Sequence, residues 1–336
     1  MSSITLVAPR IKGFSGTASY VNNVLMGFKQ NKIDFDIKYV KKREISLFGK
    51  PFFGILYQGV SAKFVHASTP IVHALAPEVV TSTTNIVTIH DIIPYTHPEI
   101  YMRSSYNRLA YKLAFGKALN VNHLLVSTNY GKEVMAKTLN ISEDKLHVVY
   151  HSIDHEKFFY DPNSPYKSGR FNVVMLSDFN PRKRIDLVVR ELLNDKEIDF
   201  YHIGPSQKWL NNYNKIISLT KNSNNIYFIG PQDINTVRRY ISNADLFIYL
   251  SEEEGFGYPV LEAMACGTNV LVNSIPVFQE LFQDHANFCT LENFSRNTII
   301  NAIKKGGNRE RIIEFSKQFS VKNMAINIYN IYNEIM

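Results

Sequence analysis

Apolar residues along this chain fall into short, nearly unbroken runs separated by stretches with helical spacing. In the first half the runs at Ile4–Ala8, Phe35–Val40, Ile71–Leu75, Ile86–Ile89, Leu124–Ser127 and Leu146–Tyr150 predict strands. Between some of them, apolar residues recur at one-turn intervals. Val21, Val24, Leu25 and Phe28 share one helical face, and Leu109, Leu113 and Ala114 repeat the pattern. After residue 170 the alternation restarts. Strands are expected at Asn172–Leu176, Phe200–Ile203, Ile226–Ile229, Leu246–Leu250 and Asn269–Val272, with helices around 184–193, 207–220, 234–242 and 259–266. Strands that are apolar at nearly every position belong to parallel sheets covered on both faces.

Between the two series, Asp161 to Gly169 crowds Pro, Ser, Asn and Gly without periodicity and reads as a linker. Two βα series around a linker predict an α/β protein of two doubly wound, Rossmann-like domains, residues 1–160 and 170–319. Residues 320–336 form a final helix. Ser320 is its expected N-cap, and Met324, Ile328, Ile331, Tyr332 and Ile335 lie on one face.

Composition narrows the class. With 336 residues, 45% hydrophobic and 20% charged, the chain can bury a sizeable core. It has no apolar run of transmembrane length, and its first residues do not read as a secretory signal. Its two cysteines, Cys266 and Cys289, lack metal-ligand spacing, so a reduced, cytoplasmic setting is expected. The net charge of +7 is uneven, because residues 1–150 hold 17 Lys and Arg against 9 Asp and Glu. That excess either serves solubility or meets an anionic partner on the first half. The basic and aromatic stretch from Lys41 to Tyr57 is either an ordinary part of the first domain or a peripheral contact with an anionic membrane.

The richest segment runs from Ser251 to Gly267, SEEEGFGYPVLEAMACG. It follows a predicted strand, and Pro259 and Gly267 suit the start and stop of a short helix. Gly255 and Gly257 allow positive φ and close approach of a ligand to the backbone. Free N–H groups at the helix start attract phosphate. Glu262, one turn in, can accept hydrogen bonds from two ribose hydroxyls, and Glu254 at the loop edge can meet sugar hydroxyls.

This segment resembles the E-x7-E element of retaining GT-B glycosyltransferases, in particular glycosyltransferase family 4, with Glu254 and Glu262 as its two carboxylates and Gly255, Phe256 and Gly257 between them. Further resemblances spread over most of the chain. Gly13-Phe-Ser-Gly16 matches the family's N-terminal Gly-rich loop, His90 its strand-end histidine, and Lys183 in NPRKRID its phosphate-binding lysine. Basic residues at a helix start oppose the helix dipole, which itself suits an anionic ligand at Arg182 and Lys183. Gly204 and Gly230 end strands whose loops border the nucleotide base in the family. Two departures stand out. Asp178 occupies the position of the family's usual Arg, whose charge Arg182 or Arg184 would have to replace. His151-Ser-Ile-Asp154 carries Ser where a Gly is common.

The resemblance implies a GT-B fold with an interdomain cleft and a last helix crossing back to the first domain. It implies a metal-independent enzyme without a cofactor. A GDP- or UDP-linked hexose donor would sit in the second domain and a glycan, lipid-linked or small-molecule acceptor in the first. His90, Glu254 and Lys183 would be catalytic. Gly13, Gly16, Arg182, Gly204, Gly230, Gly255, Phe256, Gly257 and Glu262 would bind the donor. The HDIIP context of His90 is similar to mannosyltransferase-like members. A nucleotide-sugar epimerase of the same fold remains an alternative. So does a non-enzymatic nucleic-acid-binding protein using the basic first half, although no nucleic-acid-binding signature is present.

Overall fold

The structure, a computed structural model, describes residues 3–10, 15–40, 45–47, 50–52, 62, 65–102, 104–167 and 169–336. Gly13 and most of the basic stretch 41–57 lie outside the described residues. By internal packing the chain divides into two compact units, Met1–Ser152 with Val321–Met336, and Ile153–Ser320.

In the first unit, β1 (Ile4–Pro9), β2 (Asp36–Val40), β5 (Ile71–Ala74), β6 (Ile86–Ile89), β7 (His123–Val126) and β8 (Leu146–Val148) form one parallel sheet in the order β2-β1-β5-β6-β7-β8. A separate antiparallel hairpin pairs β3 (Ile45–Leu47) with β4 (Lys50–Phe52). Every residue of β1, β5 and β6 is buried, as parallel strands covered on both faces must be. Helix α1 (Gly16–Gln30) opens on Ser15, whose hydroxyl accepts from the Ala18 N–H at 3.2 Å. Shorter helices α2 (Ile93–Thr96) and α3 (Pro98–Tyr101) precede α4 (Ser105–Leu119) and α5 (Asn129–Leu139).

The second unit repeats the scheme. Strands β9 (Phe171–Leu176), β10 (Ile198–Ile203), β11 (Ile226–Gly230), β12 (Leu246–Tyr249), β13 (Val270–Asn273) and β14 (Asn287–Cys289) form a parallel sheet in the order β11-β10-β9-β12-β13-β14. Around it run α6 (Ile185–Leu192), α7 (Leu210–Leu219), α8 (Ile234–Ser242), α9 (Tyr258–Ala265), α10 (Pro276–Phe282), α11 (Arg296–Lys305) and α12 (Arg309–Ser316). The stretch read as a linker is bound to this unit. Asp161 is buried, its N–H donates to Ser242 Oγ at 3.1 Å, and Asn243 donates to its carbonyl at 2.9 Å. Local composition signalled an irregular path, and these polar anchors decide where it lies.

The last helix, α13 (Val321–Ile335), belongs to the first unit and packs on α1. The two approach so closely at Gly27 that a Cβ there would lie 2.2 Å from the Val321 carbonyl oxygen. A buried polar chain completes the attachment. Tyr332 Oη lies 2.5 Å from His73 Nδ1, His73 Nε2 lies 2.8 Å from Thr88 Oγ1, and Thr88 Oγ1 lies 2.8 Å from Tyr20 Oη. Burial, followed by the neighbouring His90, pulls His73 down to about 3, so this ring is neutral and offers one donor and one acceptor. Tyr332→Phe leaves one ring nitrogen of a buried histidine without its partner. It should cost about 1–3 kcal/mol in urea unfolding. A change below a few tenths would mean the hydroxyl does not hold the helix.

Candidate active site

In an open parallel sheet the crevice for a ligand lies at the carboxyl ends of the strands, where the strand order reverses. In the second unit that point is between β9 and β12, which are neighbours running parallel. The loops leaving them, Ser177–Arg184 and Leu250–Gly257, carry the two segments picked out from the sequence.

The first loop is shaped by Asn180, whose side chain accepts from the Arg182 N–H at 3.2 Å and caps a short 3-10 turn, Pro181–Lys183. Arg184 then takes a left-handed conformation (φ 53°) at the start of α6. The turn delivers Arg182 and Lys183 onto the second loop. Arg182 Nη1 donates to Ser251 Oγ at 2.9 Å, to Glu254 Oε1 at 2.8 Å and to the Glu253 carbonyl. Lys183 Nζ donates to the same Glu254 oxygen and, at 2.5 Å, to Tyr249 Oη. The Glu252 N–H donates to the Arg182 carbonyl at 2.9 Å, tying the loops through the backbone as well. Arg184 is engaged elsewhere, with Glu252 at 2.8 Å and Asp186 at 3.4 Å.

These groups set one another's charge. Burial alone would raise the Glu254 carboxyl, but Arg182 and then Lys183 outweigh it and hold it down at about 2. Burial pulls the Lys183 ammonium below its usual value, and Glu254 opposes that. Two cations thus share one carboxylate oxygen among nearly buried groups, and Asp178 is close enough to favour the charged form of Lys183 as well.

On α9 the picture is reversed. Glu262 is only 9% exposed, and burial raises its carboxyl to about 8. A buried carboxyl raised in this way beside the loops at the switch point marks a functional candidate. Gly257, the N-cap of α9, takes φ 93°, and a Cβ there would sit 2.5 Å from the Phe278 ring. Gly204 takes φ 148°, with a Cβ only 1.9 Å from the Ser177 carbonyl oxygen, and Gly230 takes φ 75° with open space beside it. Phe256 is buried, its ring 6.0 Å from that of Phe319, so its side chain serves the packing of this unit. Asp178 receives the Trp209 indole N–H at 2.9 Å and the Asn180 N–H at 3.3 Å. The position where the family carries Arg is here part of the loop's scaffold.

In the first unit His90 follows β6. A carbonyl can only accept, so the 3.1 Å contact of its Nε2 with the Leu75 carbonyl fixes the proton on Nε2. Burial lowers the ring to about 4 against that hydrogen bond, so it is neutral at neutral pH. Nδ1 is then a buried lone pair without a partner among the described residues. The Tyr20 and His151 rings flank it at 4.9 and 5.4 Å. Gly16 is exposed at the first turn of α1. The structure therefore brings Arg182, Lys183 and Glu254 together in the second unit and places His90 and Gly16 in the first. Tyr249 and Ser251, which sequence reasoning passed over, share the cation cluster.

Residues 156–322 match the family model for glycosyl transferases group 1. The chain belongs to this family. Among curated relatives of this glycosyltransferase family member, the O-antigen chain mannosyltransferase RfbU of Salmonella typhimurium is 28% identical over 206 residues, 60% of this chain and 55% of the relative. The O-antigen biosynthesis glycosyltransferase WclY of Escherichia coli is 28% identical over 206 residues, covering 57% and 56%. The match thus spans just over half the length of these relatives. Solved structures agree over nearly the whole chain. The sucrose-phosphate synthase of Thermosynechococcus elongatus has a TM-score of 0.78 at 14% identity, covering 99% of both chains. HepE of Anabaena, solved with UDP and glucose, has a TM-score of 0.71 at 15% identity, covering 98% of this chain and 100% of that one. These likenesses show the GT-B fold. Among the described residues no helix is long and apolar enough to cross a membrane, and no three His, Cys, Asp or Glu cluster as metal ligands would.

Proposed function

We propose that this chain is a retaining glycosyltransferase. It moves a hexosyl group from a nucleoside-diphosphate sugar to a hydroxyl of a glycan, lipid-linked or small-molecule acceptor. The observation that carries this reading is the convergence of Arg182 and Lys183 on one carboxylate at the switch point of the second sheet. Two cations held at that point suit an anionic ligand, and the diphosphate of the donor takes the place of Glu254 between them. Glu262 takes the ribose hydroxyls, and the loops at Gly204, Gly230 and Gly255–Gly257 border the nucleotide. The first unit, residues 1–160 by sequence with the last helix, takes the acceptor, and the second, 170–319, takes the donor.

In the transfer step the acceptor oxygen bonds to the anomeric carbon as the bond from that carbon to the β-phosphate oxygen breaks. The electron pair stays on the phosphate, which also takes the acceptor's proton. Arg182 and Lys183 stabilise the charge that grows on the leaving group, the position at which preorganised donors contribute most. His90 Nδ1 accepts a hydrogen bond from a sugar hydroxyl, and Glu254, released from its cations, takes another. By the same resemblance, Gly13 and Gly16 are the residues whose backbone would meet the ligand. The match to a mannosyltransferase and the HDIIP context of His90 favour GDP-mannose, with UDP-sugars next. An acceptor carried on lipid would place the enzyme at the cytoplasmic face of a membrane, met by the basic first half.

A thermal-shift panel of UDP, GDP, ADP and their sugar conjugates tests this. The right nucleotide at a hundred times its dissociation constant adds about 2.7 kcal/mol of stability. The shift should vanish in Glu262→Ala. No shift with any nucleotide would sink the donor site.

A further inference from the structure

Tyr249 closes β12 with a phenol that is 1% exposed but polar on both sides. Its oxygen lies 2.5 Å from Lys183 Nζ and 3.2 Å from Glu254 Oε1. An ammonium can only donate, so the phenol accepts from Lys183, and its single proton is left for Glu254. The direction of both hydrogen bonds is therefore fixed. Glu254 Oε1 also receives Lys183 directly and Arg182 at 2.8 Å. Glu254 thus stands where an incoming anion would have to go, and when it leaves, Lys183 loses its main charge partner. The phenol oxygen is then its remaining side-chain acceptor, with the charge of Asp178 further support.

We propose that Tyr249 is a positioning residue of the donor site, whose hydroxyl keeps Lys183 protonated and aimed as a diphosphate displaces Glu254. The assignment rests on the reading of Lys183 as a phosphate-binding group. Four groups face this ammonium. Glu254 and Asp178 favour its charged form, Arg182 opposes it, and the Tyr249 oxygen accepts from it. Burial is the largest influence and works against the charge, so each acceptor counts. Tyr249 itself is held far above the usual phenol value, by burial first and Glu254 second, so it stays a neutral hydrogen-bonding group and not a base. Its ring lies 4.8 Å from Nζ, so Tyr249→Phe keeps the aromatic contact and removes only the oxygen.

The test is competitive acylation of the Lys183 amine by acetic anhydride from about pH 7 to about pH 11, read by mass spectrometry, on wild type and Tyr249→Phe. The half-reaction pH should fall by about one unit in the variant, the size expected for one hydrogen bond to a charged group. The affinity for UDP or GDP should drop about tenfold and the deficit should widen as pH rises, which a merely structural role would not produce. Site-specific 3-fluorotyrosine at 249, a weaker acceptor of the same shape, should move the midpoint the same way by less, and it decides the matter if the phenylalanine variant does not fold. An unshifted midpoint in protein that binds UDP or GDP overturns Tyr249 alone. Wild-type protein that binds neither nucleotide overturns the donor reading and, with it, the phosphate role of Tyr249.

Discussion

Lys183→Ala should lower turnover by about a hundred- to a thousandfold while leaving the second unit folded. The rate loss is that expected when one preorganised donor to a developing anion is removed. The fold should survive because Glu254 keeps its 2.8 Å pairing with Arg182 and the Tyr249 hydroxyl, so no buried carboxylate is stranded. The measurement is acceptor-dependent release of nucleoside diphosphate from the nucleotide sugar, with thermal unfolding as the control. A fall in turnover larger than the rise in KM would place the interaction in the transition state. Activity within a factor of two of wild type, in a protein that still binds nucleotide, would move the leaving phosphate away from Lys183. Loss of unfolding cooperativity would instead assign the lysine to the scaffold.

The fold was legible in the chain wherever burial on both faces made a strand apolar at most positions. The run Ile86–Ile89 is β6 to the residue, and Asn172–Leu176 misses β9 by one. The short edge strand β14, Asn287–Cys289, has three residues, two of them partly exposed, and gives no such signal. The site divides in the same way. Glu254, Glu262 and Lys183 are candidates through the resemblance, but nothing in a linear reading says that Lys183 and Glu254, 71 positions apart, share a hydrogen bond. Tyr249 sits in an apolar strand and looks like core. It is core, except for one oxygen whose partners come from two loops. Asp178 stands where the resemblance puts an Arg, whose charge Arg182 or Arg184 would have to replace. The sequence could not show that the Trp209 indole occupies it, while Arg182 from the same loop delivers a cation to Glu254. Phe256 lies inside the motif, yet its ring is spent on packing.

Glu262→Gln should make the ligand-free protein more stable at neutral and alkaline pH while weakening the nucleotide site. Burial raises the Glu262 carboxyl to about 8, against 4.5 for the free group. A folded-state value above the unfolded one means that the folded protein holds this proton more tightly. The group costs nothing below about pH 4.5, where both states are protonated. As pH rises from there towards 8 the unfolded chain loses its proton and the folded one does not, so stability falls by about 1.4 kcal/mol per pH unit. At pH 7 the accumulated cost is about 3 kcal/mol. Glutamine fills nearly the same space and does not titrate, so the urea-unfolding curves of wild type and variant should coincide near pH 4.5 and separate steadily above it. In the wild type, nucleotide affinity should rise towards pH 8, because an ionised carboxylate accepts two ribose hydroxyls and an acid group must first give up its proton. The variant, with one acceptor oxygen, should bind weakly and without that rise. Parallel stability curves across the whole range would mean that Glu262 ionises normally in the folded protein. A pH-independent nucleotide affinity would remove it from the ribose. Stability exchanged for a poised carboxylate is the pattern expected of a group kept for binding.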